Sequence, residues 1–229
     1  MNVLITNDDG IDAPGIQALE KLASEYGTPI TFAPTQQLSG CGHQVTVDRA
    51  ISVNEVSSNR FAVSGTPADC VRVAIASFDF NFEMVLSGIN AGGNLGVDVF
   101  MSGTAAAARE ASYFGIPSYS LSQYHKKGFA SNWANSIKLA RRGIEYVANK
   151  QVGEEGFWNI NLPSLDTEVT EAANEVPVRV CRLDRKPHKI SFERTENKFT
   201  YIGNYQSRHR EPNSDVELCF GGAVTVSRA

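Results

Sequence analysis

Two aspartates stand side by side at Asp8 and Asp9, directly after a short apolar run, Val3-Leu4-Ile5, and directly before Gly10 and Pro14-Gly15. Carboxylates on neighbouring residues of one turn repel each other, and each is pushed toward its protonated form unless a cation neutralises the pair. The pairing therefore asks for a metal. Against this, Asp, Asn and Gly are the ordinary residues of turns, and Pro14 fits the first position of a helix capped by Asp12 or Ala13. A strand ending in DDG is not diagnostic alone, and its weight comes from the residues that accompany it.

Three further stretches carry groups of the right kind. The polar loop PTQQLSGCG, residues 34 to 42, places Ser39 between Leu38 and Gly40, free to point at a site on the same edge as the aspartates. The segment Ser87 to Asp98, SGINAGGNLGVD, contains four glycines and two asparagines, which allows backbone to approach a ligand closely. It lacks both the GxGxxG spacing of a dinucleotide site and the GK[ST] ending of a P-loop. Ser102-Gly103-Thr104 then leads into the alanine-rich run Ala105 to Tyr113. A helix opening in this way offers unpaired backbone N–H groups, two hydroxyls and the positive end of a dipole, which together suit a phosphate, although a plain N-cap uses the same residues. His43, in GHQVT, reads as structural, and His125, His188 and His209 carry no ligation pattern.

These groups need a scaffold, and the hydrophobic pattern supplies one. Val3 to Ile5 reads as a doubly buried strand, Pro14 to Glu25 as a helix with Ile16, Leu19, Leu22 and Ala23 on one face, and Ile30 to Ala33 as a second strand. Strand, helix, strand in this order predicts a parallel sheet with right-handed crossovers, whose carboxyl edge receives the ligand. Gln44 to Val53 and Arg60 to Val63 alternate in the manner of an antiparallel excursion. Thr66-Pro67 with Asp69 predicts a capped helix, and Glu83 to Leu86, Ser118 to Leu121 and Phe157 to Leu162 are further strands. Trp133 to Val147 is amphipathic and helical. From residue 164 to 215 the chain is more polar, and its β-like segments Val176 to Arg182 and Ile190 to Ile202 are expected to pair with each other as a projecting hairpin.

Composition narrows the function classes. The 229 residues suffice for a sizeable core, and a net charge of -4 with a pI near 5.6 argues against a partner with a nucleic-acid backbone. No membrane span and no signal peptide are legible, so a cytoplasmic location is expected. Cys41, Cys70, Cys181 and Cys219 lie far apart without CxxC spacing, which predicts neither a zinc knuckle nor a disulfide scaffold. There is no internal repeat.

TNDDG at 6 to 10 with APGI at 13 to 16, SG at 39 to 40, SGTPADCV at 64 to 71, SGINAGGNLG at 87 to 96, SGT at 102 to 104, GIPS at 115 to 118 and NINLP at 159 to 163 follow one another at spacings that resemble the SurE family of stationary-phase survival proteins. The resemblance covers the first 165 residues. It implies a Rossmann-like three-layer α/β sandwich with a mostly parallel central sheet, and a C-terminal β-hairpin and tail used in oligomerisation. The corresponding division is a catalytic domain over 1–175 and an appendage over 176–229. It further implies a metal held by Asp8, Asp9, Ser39 and Asn90, a phosphate pocket at Asn94, Ser102, Gly103 and Thr104, and hydrolysis of nucleoside monophosphates to nucleoside and inorganic phosphate. Assembly as a homodimer or homotetramer is implied too. The sequence departs from the family at TQQL before Ser39, at Met101 in place of a tyrosine, and in a short tail past residue 205.

Four oxygen donors, two of them anionic, suit Mg2+ or Mn2+ better than zinc or copper. Water activated at such a cation, or an aspartate acting as covalent nucleophile, are both open at this point. A phosphatase of the haloacid dehalogenase kind needs two aspartates separated by one residue, and Asp8 and Asp9 are adjacent. A pocket of the same make that binds nucleotide without turnover is the non-enzymatic alternative.

Overall fold

A computed structural model describes residues 1–126, 132–148, 156–165 and 172–229. Its centre is a nine-stranded sheet in the order β3-β4-β2-β1-β5-β6-β7-β11-β8. The strands are β1 (Asn2–Thr6), β2 (Thr28–Pro34), β3 (Val53–Ser57), β4 (Arg60–Val63), β5 (Phe82–Asn90), β6 (Ser118–Gln123), β7 (Trp158–Leu162), β8 (Val178–Val180) and β11 (Val224–Arg228). Neighbours are parallel except at β3 with β4 and β7 with β11. The helices are α1 (Pro14–Ala23), α2 (Pro67–Ser77), α3 (Gly103–Tyr113), α4 (Trp133–Ala148), the single turn α5 (Ala172–Glu175) and α6 (Asp215–Phe220).

Alternation along the strands divides the core into two layers. Val3 and Ile5 face α1 and α4 together with Ile16, Leu19, Leu139 and Ile144. Leu4 faces α2 and α3 with Phe32, Val71, Val85 and Ala107. Every side chain from Val3 to Ile5 is fully buried, as a central parallel strand covered on both sides requires. The expected three-layer sandwich is present.

The helix starts follow their local chemistry. Thr66 Oγ1 accepts from Asp69 N at 3.1 Å while Asp69 Oδ2 accepts from Thr66 N at 2.9 Å, a reciprocal capping box with Pro67 at the first helical position. The same aspartate accepts from Thr46 N and Thr46 Oγ1 at 2.9 and 2.7 Å. Residues 44–52 are tied down at Thr46 by Asp69 and at Ser52 by Ser64, and their alternating pattern forms no strand before Val53.

Two other expectations are corrected. The third core strand does not end at Leu86. It continues to Asn90, because Ser87 pairs with Ser120 and Asn90 with Ser122 of β6, so the first third of the supposed glycine-rich loop is sheet. The pairing of Val176–Arg182 with Ile190–Ile202 does not form either. Val178–Val180 lies parallel to β11 inside the main sheet, where Val224 is fully buried, and the last strand supplies the partner a short apolar segment needs. The hairpin belongs to the later segment alone, as β9 (Phe192–Thr195) and β10 (Lys198–Tyr201) paired antiparallel. Of the polar stretch 164 to 215, residues 166–171 lie outside the described part.

Candidate active site

The carboxyl ends of β1, β2 and β5 meet the first turn of α3. Asn7 closes the turn after β1, its Nδ2 donating to Gly10 O at 2.8 Å and its Oδ1 accepting from Gly10 N at 3.1 Å. The following loop is tied back by Leu38 N donating to Asp8 O at 2.7 Å. These bonds set the two aspartates at the sheet edge, where two side chains, Thr104 and Gln37, and the backbone amide of Ala91 reach them.

Asp8 is 4% exposed, and its Oδ1 accepts from Thr104 Oγ1 at 2.7 Å. Burial raises its carboxyl from 3.8 to about 6, the Thr104 hydrogen bond works in the opposite direction, and the neighbouring Asp9 charge adds to the rise. Gly103 is required by this contact. A Cβ there would lie 2.9 Å from Asp8 Cβ and 2.8 Å from Cys41 Sγ, so any side chain would displace the aspartate from the helix. Asp9 is less buried, with Oδ2 accepting from Ala91 N at 3.1 Å and Oδ1 from Gln37 Nε2 at 3.4 Å. Gln37 also donates to Ser39 Oγ at 2.9 Å and thus bridges Asp9 to Ser39. Asn90 donates Nδ2 to Gly92 O at 2.8 Å, which leaves its carbonyl oxygen as the group able to face a cation.

Asp8, Asp9, Ser39 and Asn90 accordingly stand at one sheet edge, linked through Gln37, Thr104 and the Ala91 amide. The donor set is two carboxylates supplemented by an amide oxygen and a hydroxyl, which matches a hard divalent cation that keeps several waters. Among the described residues no group of three or more His, Cys, Asp or Glu side chains is placed to hold a metal. A cation at this edge would need neutral oxygens beside the two carboxylates.

The other half of the edge is the start of α3. Ser102 is its N-cap, with Oγ accepting from Ala105 N at 3.0 Å, so the capping role accounts for that lone pair. The hydroxyl proton and the unpaired N–H groups of the first turn remain available to an anion. Thr104 is fully buried, and both its hydroxyl and its backbone N–H are directed at the Asp8 carboxyl. Asn94 sits apart from the carboxylates, above β6 and β7, bonded to Ser122, Asn159 and Asn161.

Much of what stabilises this edge is not evident from the sequence. Asp98 accepts from Arg208 Nη1 at 2.7 Å, from Tyr205 OH at 2.8 Å, from Leu95 N at 3.2 Å and from His188 Nε2. Asp215 accepts from Gly96 N at 2.7 Å and from Asp184 N at 2.8 Å. Burial raises the Asp215 carboxyl above its ordinary range even with these N–H donors. Gly96 has a φ of +57° and a Cβ there would stand 2.7 Å from Asp184 O, so only glycine permits this approach. Residues 184–215 thus clamp the loop that follows β5. Their charged and aromatic types look like surface residues in a polar tract, and no local signal marks them. His43 Nε2 is bonded to Glu110 of α3 at 2.6 Å. The four cysteines are free, with Cys70 and Cys219 buried.

A mostly parallel α/β sheet whose central strand delivers paired carboxylates to a helix N-terminus places the chain among the Rossmann-like proteins that bind ligands at the carboxyl edge. A profile of the family described as Survival protein SurE matches residues 3–189, and the chain belongs to that family. It is 41% identical over 228 residues to a Nostoc protein that carries a provisional 5'-nucleotidase name, covering 100% of this chain and 99% of that one. To the 5'-nucleotidase SurE of Clostridium beijerinckii it is 32% identical over 240 residues, covering 99% and 92%. The crystal structure of a SurE protein from Aquifex aeolicus superposes with a TM-score of 0.86 at 28% identity, over 100% of this chain and 93% of that chain.

Proposed function

We propose that the protein is a metal-dependent phosphomonoesterase that hydrolyses nucleoside monophosphates to nucleoside and inorganic phosphate. The observation that carries this is Asp8 seated against the first turn of α3 with the Asp9 carboxylate on the adjoining residue, an acidic pair beside a helix N-terminus of the kind that suits an anion. Full-length relatives named as 5'-nucleotidases support the substrate class. The family resemblance supports Asp8, Asp9, Ser39 and Asn90 as the groups that hold the cation, and their oxygen chemistry favours Mg2+ or Mn2+.

When bound, the cation supplies charge neutralisation of the phosphoryl oxygens and a lowered pKa for water. The chain does the rest. The first turn of α3, with Ser102 to Thr104, and Asn94 hold the phosphate, and the departing ester oxygen takes its proton from solvent water. Thr104 fixes the Asp8 carboxylate, and Gln37 and the Ala91 amide fix that of Asp9, so either carboxylate can accept the proton lost by the attacking water. Phosphate release from AMP is expected to vanish on exhaustive chelation and to return with magnesium or manganese. Full activity after chelation would remove the metal from the scheme. Asn90→Ala is expected to weaken metal affinity about tenfold or more, read by calorimetric titration; unchanged affinity would exclude it as a ligand.

A cytoplasmic location accompanies this reading, and among the described residues no helix is long and apolar enough to cross a membrane. Assembly is also proposed, as a dimer or tetramer built through the arm at β9 and β10. Ile190, Phe192, Phe199, Tyr201 and Ile202 are each more than half exposed, and an isolated two-stranded hairpin is marginal in water. Deleting residues 190–202, which leaves β8 in the sheet, is expected to give folded monomers by light scattering. A full-length protein that is monomeric at micromolar concentration would refute the assembly.

A further inference from the structure

Asn94 is held by four hydrogen bonds to three side chains of the sheet. Its N–H donates to Asn161 Oδ1 at 2.8 Å, its carbonyl accepts from Asn161 Nδ2 at 3.0 Å and Asn159 Nδ2 at 2.9 Å, and its own Nδ2 donates to Ser122 Oγ at 2.8 Å. The three anchors are 1%, 1% and 0% exposed for Asn159, Asn161 and Ser122. Ser122 and Asn161 are paired in register on β6 and β7. Asn161 therefore meets both backbone groups of residue 94 in the way a neighbouring strand does, extending the ladder by one side chain into an otherwise irregular loop.

Carboxamides buried in a sheet are unfavourable unless they are bonded, and Asn159 Oδ1 has no protein partner at all. Apolar side chains at 159 and 161 would complete this sheet with less desolvation. What the amides add is the fixed position of one residue. Ser122 adds something different, because it touches only the side chain of Asn94. An amide nitrogen carries two N–H groups in one plane. With the backbone clamped and one N–H directed at Ser122, the direction of the second is set.

We propose that Asn159, Asn161 and Ser122 are positioning residues for phosphate: the asparagine pair fixes the Asn94 backbone, and the serine turns the amide so that its remaining N–H is presented to the phosphoryl group. This rests on the reading of Asn94 as a phosphate-binding residue. The effect is preorganisation, in which the donor is aimed before the anion arrives and no ordering is left to binding. The NINLP segment thereby has a task beyond packing.

The test is calorimetric titration of inorganic phosphate into the magnesium-loaded protein, beside a magnesium titration without phosphate and a melting curve. Ser122→Ala is the gentle variant, since it removes one oxygen and no backbone contact; Asn161→Ala removes the ladder mimic. Phosphate affinity is expected to fall about tenfold in Ser122→Ala and further in Asn161→Ala, the loss of one oriented hydrogen bond corresponding to about that factor. Magnesium affinity should stay within about twofold, and Ser122→Thr, which keeps the hydroxyl, should recover phosphate binding. In turnover the loss is expected in KM more than in kcat. A folded Ser122→Ala protein with wild-type phosphate affinity overturns the proposal, as does a parallel loss of phosphate and magnesium binding, or a wild type that binds no phosphate. The titration needs no turnover. A wild type that binds phosphate and hydrolyses no nucleotide therefore sinks the assigned reaction while leaving this test intact.

Discussion

Asp8→Asn is expected to abolish nucleotide hydrolysis and, in the metal-free protein, to raise unfolding free energy by about 1–3 kcal/mol above pH 6. The folded-state carboxyl stands at about 6 against an ordinary 3.8, chiefly through burial. A group raised in this way favours folding fully below its unfolded pKa, and that contribution is lost as pH climbs through the folded value. The difference of roughly two pH units corresponds to about 3 kcal/mol as an upper figure. Asparagine carries no charge to bury and still accepts from Thr104, whose hydroxyl lies 2.7 Å from Asp8 Oδ1. Urea unfolding of both proteins in chelator should thus agree near pH 4 and diverge between pH 4 and 6, with the variant the more stable. Adding magnesium reverses the order, since a ligand that binds only the folded wild type stabilises it alone. A variant less stable than wild type at pH 8 in chelator would mean that Asp8 serves the turn and not a cation.

Asp98→Ala is expected to destabilise the fold by about 3–5 kcal/mol, the range for removing one partner of a buried ion pair. The Arg208 side chain is 2% exposed and its Nη1 lies 2.7 Å from Asp98. Without the carboxylate, this guanidinium keeps Leu95 O at 3.1 Å and the Tyr205 hydroxyl keeps Gly93 O at 3.3 Å as acceptors, while His188 and the Leu95 amide lose the Asp98 carboxylate. Arg208→Met is the informative companion. It removes the charge that needs burial and leaves Asp98 with three donors, so its loss should be smaller. The same variants loosen the loop between Gly93 and Asp98, and KM for nucleotide should rise with them. A midpoint shift worth less than about 1 kcal/mol for Asp98→Ala would show that water reaches the guanidinium and that the clamp is a surface feature.

How far the fold can be read from sequence depends on how local each interaction is. The Thr66–Asp69 capping box is a contact between residues three apart, and Thr-Pro with a following aspartate announces it. In the first half β1, β4 and β5 are legible because each is followed by its crossover helix, which leaves one parallel arrangement. In β5 the glycine and asparagine suggest loop, whereas Ser87 and Asn90 gain ladder partners from β6 that only the assembled sheet reveals. Val178–Val180 shows the opposite error. Alternation marks its face but not its partner, and the partner, β11, lies more than forty residues downstream. Within the site, Asp8 and Asp9 stand out by adjacency, and Ser102 to Thr104 by their place before a helix. Gln37, Asn159 and Asn161 do not, since an amide that bridges two loops has no spacing rule. Asp98 and Arg208 are 110 positions apart, and before folding each is an ordinary charged residue.

The clamp also has a meaning in time. Residues 87–98 emerge during synthesis well before Arg208 and Asp215, the groups that hold Leu95 and Gly96. Domains fold as units during synthesis, from the N-terminus onward at several residues per second. For the interval in which roughly a hundred later residues are added, a nascent chain carries Asp8, Asp9 and the start of α3 without the brace that sets the neighbouring loop. The edge that carries the proposed site is complete only once the chain has folded back on itself. A protein that binds cation and phosphate tightly at that edge therefore reports that its last fifty residues are in place, and chains cut short of Arg208 keep the acidic pair without a settled pocket.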